Sequence, residues 1–555
     1  MSRSIRWLIL CLVALVLACG VVRAQDLASK IDQYMQASMK IGHFMGSILV
    51  AQHGRVLVSK GYGMADIKLG IPNTPETAFR IGSVTKEFTA AAILELQDRG
   101  KLSVEDPVCK YVPDCPKDWA PIKIFNLLTH TSGIPNFTSV PNYLKLEAQP
   151  ITPAGLLALF KNKPLDFKPG AKFSYSNSGY EVLGYIIERV SGKSYAEFLE
   201  KNVFAPLGMK SSGYDSSHPS PKSHAQGYAY SPNGYVPAPY LDMSVPFSAG
   251  ALYSTVLDLY KWDRALRAGK LLSGKSLDEM FAPQVAVGAS SKTHYGFGWF
   301  ISTEFHHKEI SHEGEINGFT SLNSWFPDDD ACVIALDNVS SPEIGVIARS
   351  LAAILFGQKY EIPTKYKAVA LSPGELQKFV GQYQLGPHFI FTIRREGDQL
   401  TEQLTGQPAW PIFPASPSEF FLKIVDAQLS FVEDSSGQVT GLVLHQNGRD
   451  LPGKKISSEV PPLPKAISLP ASVLQKYVGT YQLAPNFVIA ITRSGDQLSG
   501  QGTGQPAFRI FPESPNKFFL KVVDAQITFM ENSDGQVTGL VLHQGGRDTP
   551  AKKIK

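Results

Sequence analysis

The C-terminal third of the chain is written twice. "LQKFVGQYQL" from Leu376 returns as "LQKYVGTYQL" from Leu474, and "FFLKIVDAQLSF" from Phe420 returns as "FFLKVVDAQITF" from Phe518. "GQVTGLVLHQNGRD" from Gly437 returns as "GQVTGLVLHQGGRD" from Gly535. Each pair lies 98 positions apart, so no insertion separates the copies. A constant offset of this kind means one fold made twice. Within each copy, short runs such as "FIFTIR", "QLSFVE" and "VTGLVLH" alternate apolar and polar residues between turns such as "REGDQ" and "EDSSGQ". That is the period of half-buried antiparallel strands. Two all-β, barrel-like repeats are therefore expected, at 371–456 and 469–555. The proline-rich "SSEVPPLPKAISLP" from Ser457 to Pro470 joins them. Both copies keep a histidine and an arginine, His445 with Arg449 and His543 with Arg547. A repeated structural contact is the favoured reading, and a repeated ligand site the other.

The opposite end has a different pattern. Arg3 and Arg6 precede an apolar run from Trp7 to Val22, and Val22-Arg23-Ala24 fits a cleavage site with small residues. This reads as a signal peptide over 1–24. The run is shorter than the about 20 residues that a spanning helix needs. "VLAC", ending at Cys19, also resembles a bacterial lipoprotein box, so membrane attachment follows only if Cys19 is lipidated. Either route makes the protein periplasmic or secreted. Net charge is +4, three of it from the leader, and the remainder has no basic footprint for nucleic acid. In an exported chain, Cys109 and Cys115 in "VCKYVPDCP" could close a short disulfide loop or stay as thiols. Cys332, in the apolar "ACVIALD", reads as a small buried hydrophobe.

Between leader and repeats, residues 25–362 open with "GSILVAQHGRVLVSKGYGMAD", a hairpin pattern. Helical stretches follow, among them Lys86–Arg99 and "GYEVLGYIIERVSGKSYAEFLEKNVFAPLG". Strands return in "GFGWFIST", "HKEISHEGE", "GFTSLNSWFP" and "ACVIALDN". Strands at both ends with helices between them predict an α+β domain on one antiparallel sheet flanked by helices.

Three stretches in this domain carry chemistry. In "RIGSVTKEFTAAAILELQDRG", Ser83 stands where a helix should begin and Gly100 where it should end. Residues three apart share a helix face, so Lys86 neighbours Ser83. A serine at a helix start has backbone N–H groups and the positive dipole end close by. A buried lysine gives up its proton and can act as a base. A capping serine beside a solvated lysine fits this stretch equally well, and the Ser514–Lys517 pair in "SPNK" reads as accidental. In "AKFSYSNSGYEVLG", Tyr175 and Asn177 precede a helix. A tyrosine beside a lysine can relay protons, and an asparagine can hold a substrate amide or the lysine. In "ISHEGEINGFTS", His312 and Gly314 lie where a strand enters a turn, which can leave backbone N–H groups free for an oxyanion. His306, His307 and Glu309 lack metalloprotease spacing, so neither metal nor cofactor is expected.

The order Ser-x-x-Lys, Tyr-x-Asn, His-x-Gly resembles the serine β-lactamase and penicillin-binding protein superfamily, in its class C-like branch. Further matches are "LLTHTSGIPNF" at Leu127, "SAGALYSTVLDLYKW" at Ser248 and "YGFGWF" at Tyr295. The resemblance spans nearly all of residues 25–360 and implies a β-lactamase/transpeptidase-like fold. It implies that Ser83 is the acylated nucleophile, with Lys86 and Tyr175 as the base pair. Asn177, His312, Gly314 and Glu315 would bind substrate, Glu315 through its backbone N–H in an oxyanion hole with that of Ser83. The third motif would lie on the edge strand of the sheet.

His312-Glu313-Gly314 departs from the Lys-Thr-Gly of penicillin-destroying enzymes. It is similar to the esterase and D-aminopeptidase members, and the latter also carry two C-terminal β-barrel domains. The reading is an exported serine hydrolase acting on a small ester, amide or peptide, with a cell-wall-derived substrate and weak β-lactamase activity both compatible. The alternative is a non-catalytic, penicillin-binding-like protein that holds cell-wall peptide fragments. Oligomeric state is left open.

Overall fold

The computed structural model describes residues 25–554 except 43, 140–145, 216–223, 232–233, 289–290, 342, 365, 367, 387–388, 406, 408, 423–426, 447–448, 462–464, 485–486, 504–507, 521–524 and 545–546. The expected signal peptide and Cys19 lie outside the described residues. The chain divides into two compact units, 1–365 and 366–555.

The first unit is built on an eight-stranded antiparallel sheet. Its strands are β1 (Gly46–Gln52), β2 (Arg55–Tyr62), β3 (Val285–Ala286), β4 (His294–Tyr295), β5 (Phe300–Glu304), β6 (His307–Ile316), β7 (Phe319–Phe326) and β8 (Ala331–Asp337), in the order β3-β4-β5-β6-β7-β8-β1-β2. The first hairpin and the late strands thus meet, β1 pairing with β8 from Gly46–Asp337 to Gln52–Ala331. β7 and β8 are buried along their whole length, because helices cover both faces. Alternation sorts the contacts. Ile48, Val50, Val333 and Ala335 pack with Ile31 and Met35 of helix α1 (25–41) and Leu351 of α5 (Ile344–Leu355). Leu49, Ala51, Ile334 and Leu336 face the larger helical layer.

At the centre of that layer is α2 (Thr85–Asp98), buried from Thr85 to Leu96. An alanine-rich helix with apolar residues all round needs cover on every side. It receives that cover from α3 (Asn177–Ser191) and α4 (Val256–Arg267) as well as from the sheet. Gly100 follows α2 at φ +66°, and Gly192 closes α3 at φ +67°, both left-handed positions that glycine enters without steric cost. The long predicted helical run breaks after Gly192 into Tyr195–Leu199, a π-turn at Glu200–Phe204 and Ala205–Leu207. Cys109 and Cys115 are joined as a disulfide, and Cys332 is buried in β8.

One expectation is corrected. The His-x-Gly strand, β6, is not the edge of the sheet, since it pairs with β5 on one side and β7 on the other. The edge is β3, reached through two more short strands. β5 accompanies β6 only as far as Ser311, opposite Phe300. Beyond Ser311, no strand among the described residues lies on that side of β6. The turn carrying Ser83 instead packs over the face of β6 at Gly314.

The second unit holds two closed eight-stranded barrels. In the first, Gly381–Gly386 closes against Arg449–Ser457, and in the second Gly479–Ala484 closes against Arg547–Lys553. Each barrel fills its own core. Tyr383, Ile393, Leu400, Phe420 and Leu429 line one, and Tyr481, Ile491, Leu498, Phe518 and Ile527 hold the matching places in the other. His445 and His543 project from the outside of their barrels into cross-strand ladders. His445 Nδ1 is 2.8 Å from Asp450 Oδ1 and its Nε2 2.9 Å from Ser430 Oγ. His543 makes the same pair of contacts with Asp548 and Thr528.

Candidate active site

Ser83 does not cap α2. It lies in a 3₁₀ turn, Gly82–Val84, that leads into the helix. Gly82 sits at φ +47°, and a Cβ there would come 2.9 Å from the Glu315 nitrogen. From the opposite side, a Cβ on Gly314 would come 2.1 Å from the Ile81 carbonyl and 3.0 Å from the Ser83 nitrogen. Only two residues without side chains allow this approach. It brings the backbone nitrogens of Ser83 and Glu315 to the same small space. The Ser321 hydroxyl donates to the Ile81 carbonyl at 2.8 Å and ties the turn to the sheet.

Lys86 is fully buried. Its Nζ donates to Ser83 Oγ at 2.9 Å, to Asn177 Oδ1 at 2.9 Å and to the Ala249 carbonyl at 2.8 Å. An ammonium satisfies all three acceptors. A neutral amine can keep two of these bonds and accept the serine proton through the third. Burial drives its pKa down to about 7, and the carboxyl of Glu181 pulls the other way. The surroundings explain the shift. Nζ lies 4.9 Å from the Tyr175 ring centre and 5.5 Å from that of Tyr180. His130 packs against both rings and against Tyr295. Aromatic faces favour the ammonium modestly, whereas loss of water disfavours it strongly.

Tyr175 stands just before α3, in front of its N-cap Ser176. Burial raises its phenol above the usual value, and a hydrogen bond with Ser83 opposes that rise. Asn177 opens α3, its backbone N–H bonded to Asn136 Oδ1, and aims its side-chain carbonyl at Lys86. Ser83, Lys86, Tyr175 and Asn177 therefore converge, with Gly314 and the Glu315 backbone beside them.

His312 is also close, but its imidazole is buried and already engaged. Nδ1 donates to the Glu313 carbonyl at 2.6 Å, and Nε2 stands 3.1 Å from the Tyr295 hydroxyl. Burial pushes its pKa down to about 3, with the charge on Lys86 adding to the effect. It is a neutral ring in the wall of the site. Strand alternation sends Glu313 and Glu315 to the other face of β6, and a Cβ on Gly345 of α5 would come 3.0 Å from Glu313 Oε1. Their carboxylates do not line the serine side.

Three contributors were not singled out from the sequence. His130 sits in "LLTHTSG" at φ +55°, with Nδ1 accepting the Ser176 N–H at 3.2 Å, which fixes the residue preceding Asn177. Glu181 lies one helical turn after Asn177. It is fully buried, neither oxygen meets hydrogen-bond geometry, and burial raises its pKa well above the usual carboxylate range while Lys86 lowers it. A charged residue inside "GYEVLGYII" was the available signal. Ala249 contributes only a carbonyl, which no side-chain pattern reveals. His307 pairs with Asp329 and stacks on Phe356. Among the described residues, no group of three or more His, Cys, Asp or Glu side chains is arranged to hold a metal.

Residues 29–355 match the family model described as Beta-lactamase. The chain belongs to the β-lactamase family. It is a serine hydrolase of that family, with the α+β fold expected of it. The two barrels, at 365–455 and 463–553, match a domain of unknown function, DUF3471. This β-lactamase-family chain is 34% identical over 336 residues to a putative penicillin-binding protein, PbpX, of Bacillus subtilis, covering 60% of this chain and 80% of that protein. It is 33% identical over 270 residues to the teichoic acid D-alanine hydrolase of Staphylococcus aureus, covering 48% of this chain and 64% of that one. The solved structure of a D-amino acid amidase from Ochrobactrum anthropi superposes with a TM-score of 0.54 at 25% identity, covering 60% of this chain and 99% of the other.

Proposed function

We propose that this serine hydrolase is exported and cleaves a small ester or amide of a D-amino acid through an acyl-enzyme on Ser83. The observation that carries the reading is the Lys86 amine, buried, 2.9 Å from Ser83 Oγ and drawn down to a pKa of about 7. Neutral Lys86 takes the serine proton as Oγ attacks the carbonyl carbon. Asn177 and the Ala249 carbonyl hold the amine in place. The backbone N–H groups of Ser83 and Glu315 receive the oxyanion. The proton then passes by way of Tyr175 to the leaving oxygen or nitrogen, the acyl bond to the leaving group breaks, and water reverses the sequence to free the acid.

A neutral, buried His312 offers no cation for the carboxylate of a β-lactam, which supports an ester or amide substrate instead. The D-amino acid part of the reading draws on the amidase and the D-alanine hydrolase relatives. Export rests on the leader pattern in residues 1–24. No helix among the described residues is long and apolar enough to cross a membrane.

The test is intact mass after exposure to a fluorophosphonate. One adduct is expected on the wild type and none on Ser83→Ala. A folded wild type that gains no adduct would remove the nucleophile from this proposal.

A further inference from the structure

The two barrels share a fold but differ at one end. Phe389, Leu404 and Trp410 begin or finish their strands at the same mouth of the first barrel. Glu402 lies one inward-facing position below Leu404. Its neighbours across the sheet are Ile393, which is core, and Trp410. Glu402 shares the face of Leu400, also core, so its carboxyl points into the barrel. It is 6% exposed, and Oε2 has no hydrogen-bond partner among the described residues. Yet two large rings at this mouth stay open to solvent, Phe389 at 58% and Trp410 at 38% exposure.

The second barrel is the control that the chain carries within itself. Gly500 stands in place of Glu402, and Gly502 in place of Leu404. Phe508, the counterpart of Trp410, closes over the glycine, and a Cβ on Gly500 would come 2.7 Å from its ring. Phe508 and Phe487 both pack on the core of that barrel. Among the described residues, then, the second barrel folds its two mouth rings onto its core, and the first does not. An unpaired carboxyl beneath exposed aromatic faces suits one ligand chemistry, a cation with an apolar body, held by charge below and by ring faces around it.

We propose that the mouth of the first barrel is a binding site for an organic ammonium, with Glu402 as its counter-charge and Trp410 and Phe389 as its walls. No described residue of the barrel supplies that cation already. Arg394 alternates to the outside, Arg395 is engaged by Gln377 and the Gly397 carbonyl, and Arg449, which begins its strand at this mouth, exerts no pull on Glu402. Trp410–Pro414 carries no charged residue. Lys455, which faces inward, sits at the far end with Nζ on the Lys378 carbonyl. Only burial moves Glu402, to a pKa of about 7, so binding strengthens as pH rises through that value.

The test is calorimetric titration of the full chain with benzyltrimethylammonium chloride at pH 8.5 and pH 5.5, beside benzyl alcohol. One saturable site is expected for the ammonium, tighter at the higher pH, and none for the alcohol. Glu402→Gln, which keeps the shape, should weaken binding at pH 8.5 by at least about tenfold, a loss of one charge contact. Trp410 is the one tryptophan of the repeats, so ligand-induced fluorescence change should vanish in Trp410→Phe. Absence of saturable binding, or equal binding by Glu402→Gln, would overturn the proposal, the second result placing the ammonium elsewhere in the chain.

Discussion

Lys86 and Glu402 are two buried ionisable groups, one in each unit, and burial draws both to a pKa of about 7. They differ in company. Three acceptors, from the Gly82–Val84 turn, α3 and the Phe247–Gly250 helix, surround the lysine, whereas no group among the described residues answers Glu402 Oε2. Burial is the largest influence on how easily a proton leaves, opposed at Lys86 by the Glu181 carboxyl. The hydrogen bonds decide whether the group, once uncharged, is aimed at anything. Lys86 is aimed at Ser83 Oγ, the proposed nucleophile. Glu402 points into its barrel and meets no partner for Oε2 among the described residues.

The comparison breaks most visibly at the lysine. Lys86→Met removes the proposed base without leaving a buried charge, and kcat/KM for a small ester should fall by about 10³-fold, the usual scale for a positioned general base. A loss under tenfold would mean that another group takes the serine proton. In the wild type, kcat/KM should rise with pH through about 7, because only the deprotonated amine accepts a proton.

The glutamate gives the next effect. Glu402 has a folded pKa raised from 4.5 to about 7. A raised carboxyl favours the folded state below the unfolded value and loses that advantage as pH climbs through the folded one. Stability of the barrel unit should therefore decline between pH 5 and pH 8 by up to about 3 kcal/mol, since each tenfold change in proton affinity is worth about 1.4 kcal/mol. Glu402→Leu should flatten that slope, as read by urea denaturation at both pH values. An unchanged slope would show that Glu402 is solvated.

The smallest effect sharpens the lysine side. The Glu181 carboxyl raises the Lys86 pKa against burial. Glu181→Gln should shift the rising limb of the kcat/KM profile to lower pH by less than about one pH unit, with modest change at its plateau. A limb displaced upward would contradict the coupling.

The sequence made the site legible where chemistry follows local spacing. Ser83 and Lys86 are one helical turn apart, and Tyr175 and Asn177 announce a helix start. Gly314 was visible as a glycine, but its reason, the 3.0 Å approach of its Cβ position to the Ser83 nitrogen, needs the tertiary fold. The Ala249 carbonyl reaches Lys86 across 163 residues, and such a contact has no local signature. The edge-strand expectation failed because β3 and β4 are two residues each, too short to show alternation. In the repeats, alternation gave the strands, but "QLTEQL" reads as an ordinary amphipathic strand. Which of its faces is inside depends on closure against a strand more than 40 residues away.

The unaccompanied side of β6 beyond Ser311 has one more consequence. A stretch of strand that no described strand accompanies is a template for an extended backbone. A peptide-like substrate laid beside residues 312–316 would extend the sheet, its carbonyl reaching the serine in register with the pleat. Inverting one stereocentre in such a guest exchanges the directions of its side chain and its Cα–H, swinging the side chain from a face of the sheet toward the strand beside it. Any chiral preference here would turn on which of those directions has room, and so on sheet geometry more than on any single recognising group.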